Sequence, residues 1–349
     1  MPVACPAVEV DLQLGAPLGL VGHQATQLAD AGATGAFTFE GPTDVFLPLV
    51  EAALAVRDDE ARSRLLLYTN VAVAFPRSPV HLAHAAWDLQ RLTRGRFALG
   101  LGTQVKAHVE RRYGATWGDP VAHMDEIIAA TRAVFATWQH GERLDFEGTC
   151  TSHSLITPLL SPPPLTDDEG GPPPIWLAAV GPKMTELAGR SADGLLVHPF
   201  HSQPQLAAQL DAVRAARLAA AGTTDGFHLG VGAIVAVGRT EAERAEADAG
   251  ARGLVGFYAS TPAYRPALAS TGHGDLQPRL RDLIRAGRWE ALDALIPDDL
   301  LDAVTIRGTP AEVADGLRAR YEGVADRVAL TVPHAAPPDL LAELLAALR

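Results

Sequence analysis

The segment between residues 65 and 104 constrains the fold of this chain more than any other part of its sequence. Two continuous apolar runs, residues 65–73 and 96–102, lie on either side of residues 80–93, in which apolar residues recur every three or four positions. That spacing predicts an amphipathic helix, and apolar runs without polar alternation are typical of parallel strands that are covered on both faces. The sequence therefore predicts a right-handed βαβ unit here.

The same alternation of strands and helices continues along the chain. The predicted strands cover residues 9–15, 36–40, 65–73, 96–102, 175–180, 194–198, 227–237 and 328–332, and the helix after the seventh covers residues 241–249. Eight strand–helix alternations are the number in a (β/α)8 barrel. We predict one TIM-barrel domain over residues 1–349, with insertion loops at about 103–174 and 254–305. A proline-rich acidic segment, residues 155–174, is neither a helix nor a central strand.

Composition and charge limit the classes of function open to this protein. The 349 residues carry a net charge of −12, and no cluster of Lys and Arg is dense enough to form a nucleic-acid groove. No apolar run is long enough to cross a bilayer, and no secretory signal is recognisable. Cys5 and Cys150 have neither metal-binding nor redox spacing. We therefore expect a cytoplasmic protein that binds neither nucleic acid nor membrane.

Two polar residues occupy positions where a TIM barrel builds its active site. The loops that leave the carboxyl ends of the strands form that site. Glu40 ends the second predicted strand, and His198 ends the sixth, beside Pro199. Glu40 is compatible with an ordinary partner of a helix N-terminus or with a ligand contact, and position alone does not decide between them. For His198 a functional contact is at least as well supported as a structural one.

Three further motifs bear on cofactors and metals. Residues 100–105, GLGTQV, have two glycines but lack the third glycine of the dinucleotide-binding motif. His81 and His84 lie three apart on a predicted helix, but no carboxylate completes a set of ligands, so we predict no metal site. Lys183 lies at the start of a predicted helix, where backbone N–H groups and one cation form an anion site. That arrangement suits a cofactor that carries a phosphate.

Four motifs, in this order, carry a family resemblance. They are AFPRSPVHLAHAAWDLQRLTRGRFALGLGTQVKAHVERRYG (74–114), LDFEG (144–148), IWLAAVGPKMTELAG (175–189) and ADGLLVHPF (192–200). The chain resembles the bacterial luciferase-like monooxygenase superfamily and, more narrowly, its coenzyme F420-dependent oxidoreductases of actinobacteria, whose cofactor is a deazaflavin. The resemblance covers most of the chain and implies a TIM barrel. The motifs are less specific for the flavin, since members that use reduced FMN share them.

The resemblance also implies roles for particular residues. Asn70 and Val71 match the place of a non-proline cis peptide that backs the central ring of the flavin. The further residues expected to contact the cofactor are Glu40, Gly102, Thr103, Gln104, His108, Val180, Gly181, Pro182 and Lys183. Glu40 corresponds to an acidic residue near the deazaflavin ring, and His198 to a residue that faces the substrate. These two are our catalytic candidates, for polar steering or protonation of the substrate.

The resemblance implies an oxidoreductase that passes hydride from C5 of reduced F420 to an activated C=C or C=N bond. The substrate is then a small natural product or a dehydroamino-acid residue of a peptide. Two alternatives stay open: a monooxygenase that uses reduced FMN and oxygen, and a flavin-binding protein without catalysis. The chain departs from the family pattern at Thr43, where close relatives carry a histidine, and near Val105, where sugar-phosphate dehydrogenases carry a glutamate. A sugar-phosphate substrate is therefore not expected, whereas a homodimer is.

Overall fold

The computed structural model describes residues 8–349, and residues 1–7, which include Cys5, lie outside the described part. In chain order the strands are β1 (Glu9–Gln13), β2 (Gly35–Thr38), β3 (Leu66–Thr69), β4 (Ala72–Val73), β5 (Phe97–Gly102), β6 (Phe146–Glu147), β7 (Ser152–His153), β8 (Ile175–Ala179), β9 (Gly194–Val197), β10 (His228–Val237), β11 (Thr305–Gly308) and β12 (Arg327–Thr331). The helices are α1 (Val21–Ala31), α2 (Leu47–Val56), α3 (Pro79–Leu92), α4 (Lys106–Arg111), α5 (Pro120–His140), α6 (Pro182–Ser191), α7 (Gln203–Ala221), α8 (Glu241–Ser260), α9 (Arg265–Ser270), α10 (Leu276–Arg285), α11 (Asp298–Val304), α12 (Pro310–Tyr321) and α13 (Pro338–Ala347).

Eight parallel strands form a closed barrel in the order β1, β2, β3, β5, β8, β9, β10 and β12. The barrel closes because β12 pairs with β1 on one side and with β10 on the other. Two short strands extend it, since β4 pairs with the end of β5 and β11 pairs with the end of β10. The predicted (β/α)8 barrel is therefore confirmed, and each of its eight predicted strands is present.

The barrel strands form where the sequence has no polar alternation, because both faces of each strand are covered. Every residue of β2, β5 and β9 is buried, which favours apolar or small residues at all positions. Helix α3 begins at Pro79 because Ser78 accepts a hydrogen bond from the Val80 N–H group and proline fits the first helical turn. The predicted βαβ unit is thus present in the structure as β3, α3 and β5.

Side chains fill the interior of the barrel, so it is a packed core and not a pore. The Tyr68 ring packs against Phe37 and Trp176, with ring centroids 5.5 and 5.3 Å away. Its hydroxyl donates to Asp11 Oδ2 at 2.9 Å, and Arg327 forms a buried ion pair with the same carboxylate. Buried charges persist when they are paired in this way. Because Arg327 is the first residue of β12, the pair lies away from the strand ends that carry the predicted site.

The structure differs from the sequence prediction after the seventh barrel strand. Helix α8 continues to Ser260, beyond the predicted end at residue 249. Glycines within it serve close packing: a Cβ on Gly250 would lie 2.3 Å from the Pro333 carbonyl oxygen. The prediction also missed β11 and α12. Strand β11 has four residues, of which two are fully buried, so it lacks the long apolar run that marks the other strands.

Two long connections lie between barrel strands. The connection from β5 to β8 spans residues 103–174 and contains α4, α5 and the β6–β7 hairpin. The connection from β10 to β12 spans residues 238–326, and its helices form an apolar cluster of their own with Phe200 and Ile234. Within residues 8–349, none of the helices has the length and apolar character needed to span a membrane.

Candidate active site

The sequence-predicted site residues all follow the carboxyl ends of barrel strands. Because the barrel is parallel and closed, these ends lie on one rim. The loops concerned start after β2 (Glu40), β3 (Asn70 and Val71), β5 (Thr103, Gln104 and His108, with Gly102 ending the strand), β8 (Val180 to Lys183) and β9 (His198). The structure therefore brings the predicted residues to one face of the molecule. Their roles toward a cofactor stay predictions.

The rim after β3 presents an apolar surface beside a glycine. The peptide bond between Asn70 and Val71 is cis, as the family resemblance predicted. Val71 packs directly against Gly102, because a Cβ at position 102 would lie 2.4 Å from Val71 Cγ2. Any larger residue at position 102 would displace Val71, so this close approach requires glycine. The Val71 side chain stays partly exposed at the rim.

Glu40 is held in a tight polar network. Its Oε2 accepts from the Val73 N–H group at 2.9 Å and from Arg77 Nη1 at 2.6 Å, and its Oε1 accepts from Arg77 Nη2 at 2.8 Å. The Glu40 side chain is only 9% exposed and that of Arg77 19%. A bidentate guanidinium fixes the orientation of a carboxyl group through two parallel hydrogen bonds. The geometry thus favours a positioning role for Glu40, since it fixes the segment that follows the cis peptide.

The loop after α4 lies over the loop after β2. Arg112 Nη2 donates to the Gly41 carbonyl oxygen at 2.6 Å. The next residue, Tyr113, has a buried hydroxyl near the Glu40 carboxylate, with no well-aligned hydrogen bond to any group among residues 8–349. Burial, followed by the nearby charge of Glu40, raises the pKa of Tyr113. A buried polar atom without a partner is uncommon, and it marks this place as one where a bound molecule can complete the network.

The predicted cofactor-tail residues lie in an open turn after β5. Gln104 has a φ of 59°, a left-handed conformation that is uncommon outside glycine. Its Oε1 accepts from the Val105 N–H group at 3.0 Å, and Thr103 Oγ1 donates to the Gln104 carbonyl oxygen at 2.9 Å. These hydrogen bonds fix the turn locally. His108 is exposed on α4.

The start of α6 has the features of an anion site. Gly181 is the N-cap of this ten-residue helix, and no side-chain hydrogen bond caps its first turn within the described part of the chain. No heavy atom lies within 4 Å of a Cβ placed on Gly181, so the approach to these groups is open. Lys183 is exposed in the first turn. Free N–H groups and the helix dipole favour a phosphate at such a position.

His198 packs among aromatic rings from the late helical insertion. Its ring stacks on Tyr264, with centroids 4.4 Å apart and planes at 25°, and meets the Tyr258 ring edge-on at 4.6 Å. Its Nδ1 accepts from the Phe200 N–H group at 3.1 Å, so in the neutral ring Nε2 carries the proton. Burial, followed by the neighbouring His201, lowers the pKa of His198 to about 3. His198 is therefore a neutral hydrogen-bond donor at physiological pH, and not an acid.

Sequence reasoning missed three residues of this site. Arg77 is the only charged residue between β4 and α3, a signal that could have marked it as an ion-pair partner. Tyr258 and Tyr264 lie in the insertion, where no periodic pattern connects them to the barrel. Within residues 8–349, no group of three or more His, Cys, Asp or Glu side chains could hold a metal ion.

The rim fits a flavin or a deazaflavin that carries a phosphate. Val71 offers an apolar surface for a ring, the start of α6 offers N–H groups for a phosphate, and the turn around Gln104 lies between them in the strand order. FMN and F420 both carry a flat tricyclic ring of the same shape and a phosphate, so these features suit both.

Comparisons with known proteins place the chain in a family. The model of the luciferase-like monooxygenase family matches residues 3–327. The chain is 41% identical over 318 residues to the uncharacterised protein Rv1360 of Mycobacterium tuberculosis, covering 89% of this chain and 91% of that protein. It is 29% identical over 327 residues to the putative coenzyme F420-dependent oxidoreductase Rv3520c of the same organism, covering 86% and 89%.

Solved structures share the fold at low sequence identity. The coenzyme F420-dependent tetrahydromethanopterin reductase of Methanopyrus kandleri has a TM-score of 0.78 and 17% identity, covering 98% of this chain and 97% of that chain. A type II Baeyer–Villiger monooxygenase of Pseudomonas putida, in complex with FMN, has a TM-score of 0.62 and 18% identity, covering 98% and 96%. At these identities the similarity supports the fold alone.

Proposed function

Because this chain belongs to the luciferase-like monooxygenase family, whose members are oxidoreductases and monooxygenases, we propose that it is an F420-dependent oxidoreductase. In this proposal it transfers hydride from reduced F420 to an activated C=C or C=N bond. The observation that carries the proposal is the rim itself, where Val71 lies against Gly102 beside the Glu40–Arg77 ion pair. The choice of F420 over FMN is supported by the relative Rv3520c, which aligns with 86% of this chain.

Three parts of the rim would hold the cofactor. Asn70 and Val71 would back the central ring, and the N–H groups at the start of α6 would bind the phosphate, with Lys183 as the cation. Gly102, Thr103, Gln104 and His108 would line the path of the tail, and Val180 and Pro182 would shape the phosphate turn. When bound, the deazaflavin supplies a hydride at C5, and this chemistry belongs to the cofactor.

The contribution of the protein is then mainly positioning and exclusion of water. Glu40 acts through Arg77 and the Val73 N–H group, which fix the backbone next to the ring-binding surface. His198 offers its Nε2–H group to the substrate, because its Nδ1 is already engaged by Phe200. A bound substrate held in a dry, oriented geometry gains much of its rate from that arrangement. In this proposal His198 donates a hydrogen bond, and the proton that completes the reduction comes from solvent.

The test compares the two cofactors on the same purified protein. We expect oxidised F420 to bind, and reduced F420 to be oxidised by substrate without oxygen. Oxygen-dependent turnover with reduced FMN, together with no binding of F420, would establish the monooxygenase alternative. Binding of a flavin without any turnover across a broad set of unsaturated compounds would favour the non-catalytic alternative.

We also propose that the protein forms a homodimer. Leu47, Val50 and Leu54 are exposed at three- and four-residue spacings on α2, so this helix presents an apolar stripe to solvent. Leu18 and Leu20 are exposed in the loop before α1. This loop is attached to α2, because the Glu51 carboxylate of that helix accepts from the Gly19 N–H group at 2.8 Å. Contiguous exposed apolar side chains of this kind mark protein contact sites, and a second copy of the chain would cover them.

A further inference from the structure

Four aromatic side chains pack together after the end of β9; Phe200 is only 2% exposed, so the other three carry the accessible part of the cluster. We call His198, Phe200, Tyr258 and Tyr264 the aromatic wall. Beyond the contacts of His198, the Phe200 ring lies 6.3 Å from Tyr258 and 5.9 Å from Tyr264, centroid to centroid, and the two tyrosines lie 6.0 Å apart. The insertion thus supplies two of the four rings, and the barrel supplies the others. None of the features assigned to the cofactor uses Phe200, Tyr258 or Tyr264.

The aromatic wall carries three polar atoms that are free to bind a ligand. His198 Nε2 and the hydroxyls of Tyr258 and Tyr264 make no hydrogen bond within residues 8–349, yet none of them is fully buried. Buried tyrosine hydroxyls usually find partners, whereas these unpaired atoms keep some exposure and are open to a ligand. Because His198 Nδ1 is an acceptor, all three atoms are available as donors.

The aromatic wall is also uncharged. Burial lowers the pKa of His198 to about 3 and raises the pKa of Tyr258 to about 12, so both rings are neutral at physiological pH. Burial, followed by Tyr258, raises the pKa of Tyr264 as well. Arg320 lies near His201 and not among the four rings, and it donates to the Asp302 carbonyl oxygen at 2.8 Å. An anionic group of a ligand would lose its hydration here without gaining a cationic partner on the wall.

We propose that the aromatic wall binds the substrate, and that the substrate is an uncharged, planar, conjugated carbonyl compound such as an enone or an unsaturated lactone. Flat rings pack well on aromatic side chains, and a carbonyl oxygen accepts from the free donors. This inference rests on the proposed function, of which it names the substrate class. It makes Tyr258 and Tyr264 specificity-determining residues.

The reaction on such a substrate balances with the cofactor already proposed. Hydride from reduced F420 forms a C–H bond at the β-carbon, and the electron pair of the C=C bond moves through the conjugated system to the carbonyl oxygen. The resulting enolate oxygen accepts from the donors of the aromatic wall, whose hydrogen bonds strengthen as negative charge develops. The α-carbon then takes a proton from solvent. The carbonyl compound gains two electrons and two hydrogens, and the deazaflavin is oxidised by two electrons.

Coumarin and coumarin-3-carboxylate are matched probes for this inference, because they share one planar conjugated lactone and differ in a carboxylate. Titration calorimetry on the full chain at pH 7.5, with and without oxidised F420, measures the affinity of each of the two probes. We expect coumarin to bind at least about tenfold more tightly than its carboxylate, a difference of about 1.4 kcal/mol. Equal or tighter binding of the carboxylate overturns the inference.

Variants of the insertion locate the binding site. Tyr264→Phe keeps the ring and removes the hydroxyl, so we expect coumarin to bind about threefold to tenfold more weakly, the loss of one hydrogen bond. Trp289→Ala is the control, because Trp289 is exposed in the same insertion and packs on Phe257 at 6.0 Å, with no ring contact to the four wall residues among residues 8–349. Its effect should stay below about twofold. An equal loss of coumarin affinity in both variants, with circular dichroism spectra like that of the native chain, overturns the assignment to the aromatic wall.

The two proposals fail in different ways. If coumarin binds as expected but F420 does not, the proposed cofactor is wrong and the aromatic wall remains a binding site for neutral planar molecules. If F420 binds and coumarin does not bind even with F420 present, the substrate class is wrong and the proposed cofactor stands.

Discussion

Replacement of Glu40 separates a positioning role from an acid–base role. Glu40 accepts two hydrogen bonds from Arg77 and one from Val73 N–H, and it is 9% exposed. Glu40→Ala removes all three and leaves a mostly buried guanidinium with the Val73 carbonyl oxygen at 2.8 Å and the Asp44 carboxylate at 4.0 Å. Hydrogen bonds to charged groups are worth about 1.5–3 kcal/mol each and are not additive, so we expect a loss of about 2–3 kcal/mol in the free energy of unfolding. For a chain of this length that loss lowers Tm by about 3–4 °C.

Glu40→Gln is the sharper variant. Glutamine keeps an acceptor oxygen for the Val73 N–H group but cannot release or accept a proton. If Glu40 only positions the rim, F420 affinity should fall by less than about tenfold. Turnover at saturating F420 should also fall by less than about tenfold relative to the native chain. If Glu40 is a general acid or base, turnover should fall by about 100-fold or more.

The assay measures F420 binding by absorbance, turnover at saturating F420, and Tm by circular dichroism. Asp193→Asn is a matched control, because the Asp193 carboxylate also accepts from an arginine, Arg132, and from a backbone N–H group, that of Ile175, but directly precedes β9, at the end of the barrel opposite the rim. It should lower Tm without changing F420 affinity. A loss of turnover of 100-fold or more in Glu40→Gln, with unchanged Tm and unchanged F420 affinity, would refute the positioning role.

Three further predictions follow from other parts of the structure. Gly102→Ala forces a Cβ to within 2.4 Å of Val71 Cγ2, so we expect a stability loss of about 1–3 kcal/mol and weaker F420 binding, measured by thermal melting and by titration. Burial lowers the pKa of His201 to about 4, below its usual value of 6.5. Between pH 6.5 and pH 4 the unfolded chain therefore binds a proton at this histidine that the folded chain does not. The stabilisation from the neutral ring is fully present above pH 6.5 and is lost as the pH falls toward 4. Replacing His201 with glutamine should flatten that decline by up to about 1.4 kcal/mol per pH unit in denaturant titrations, and an unchanged slope would contradict the buried neutral ring. Val50→Glu places a charge in the apolar stripe of α2, so sedimentation should show a monomer where the native chain shows a dimer.

The barrel could be predicted from sequence because its strands are buried on both faces. Continuous apolar runs, such as those of β5 and β9, distinguish such strands from surface segments. Strand β11 could not be found in this way, since its segment TIRG is short and half polar. The length of α8 was also underestimated, because helix ends are weakly marked when glycines such as Gly250 serve packing against a distant loop.

The site could be predicted only as far as its positions on the strand ends. Topology places Glu40 and His198 on one rim, and strand order alone is enough to show this. Their partners depend on contacts across the fold: Arg77 meets Glu40 from another loop, and Tyr264 reaches His198 from the insertion. These contacts change the chemistry, since Arg77 fixes the orientation of the Glu40 side chain and the buried surroundings keep His198 neutral. Sequence spacing carries no signal for them.

The central claim is that the protein depends on F420. Side-by-side titration of the purified chain with F420 and FMN tests it most directly. Anaerobic mixing of the reduced cofactor with an unsaturated carbonyl compound then follows. We predict that F420 binds at least about tenfold more tightly than FMN, and that the absorbance of oxidised F420 appears without oxygen at a rate that depends on the carbonyl compound. Tight binding of FMN without binding of F420, with product formed only in the presence of oxygen, would contradict the claim.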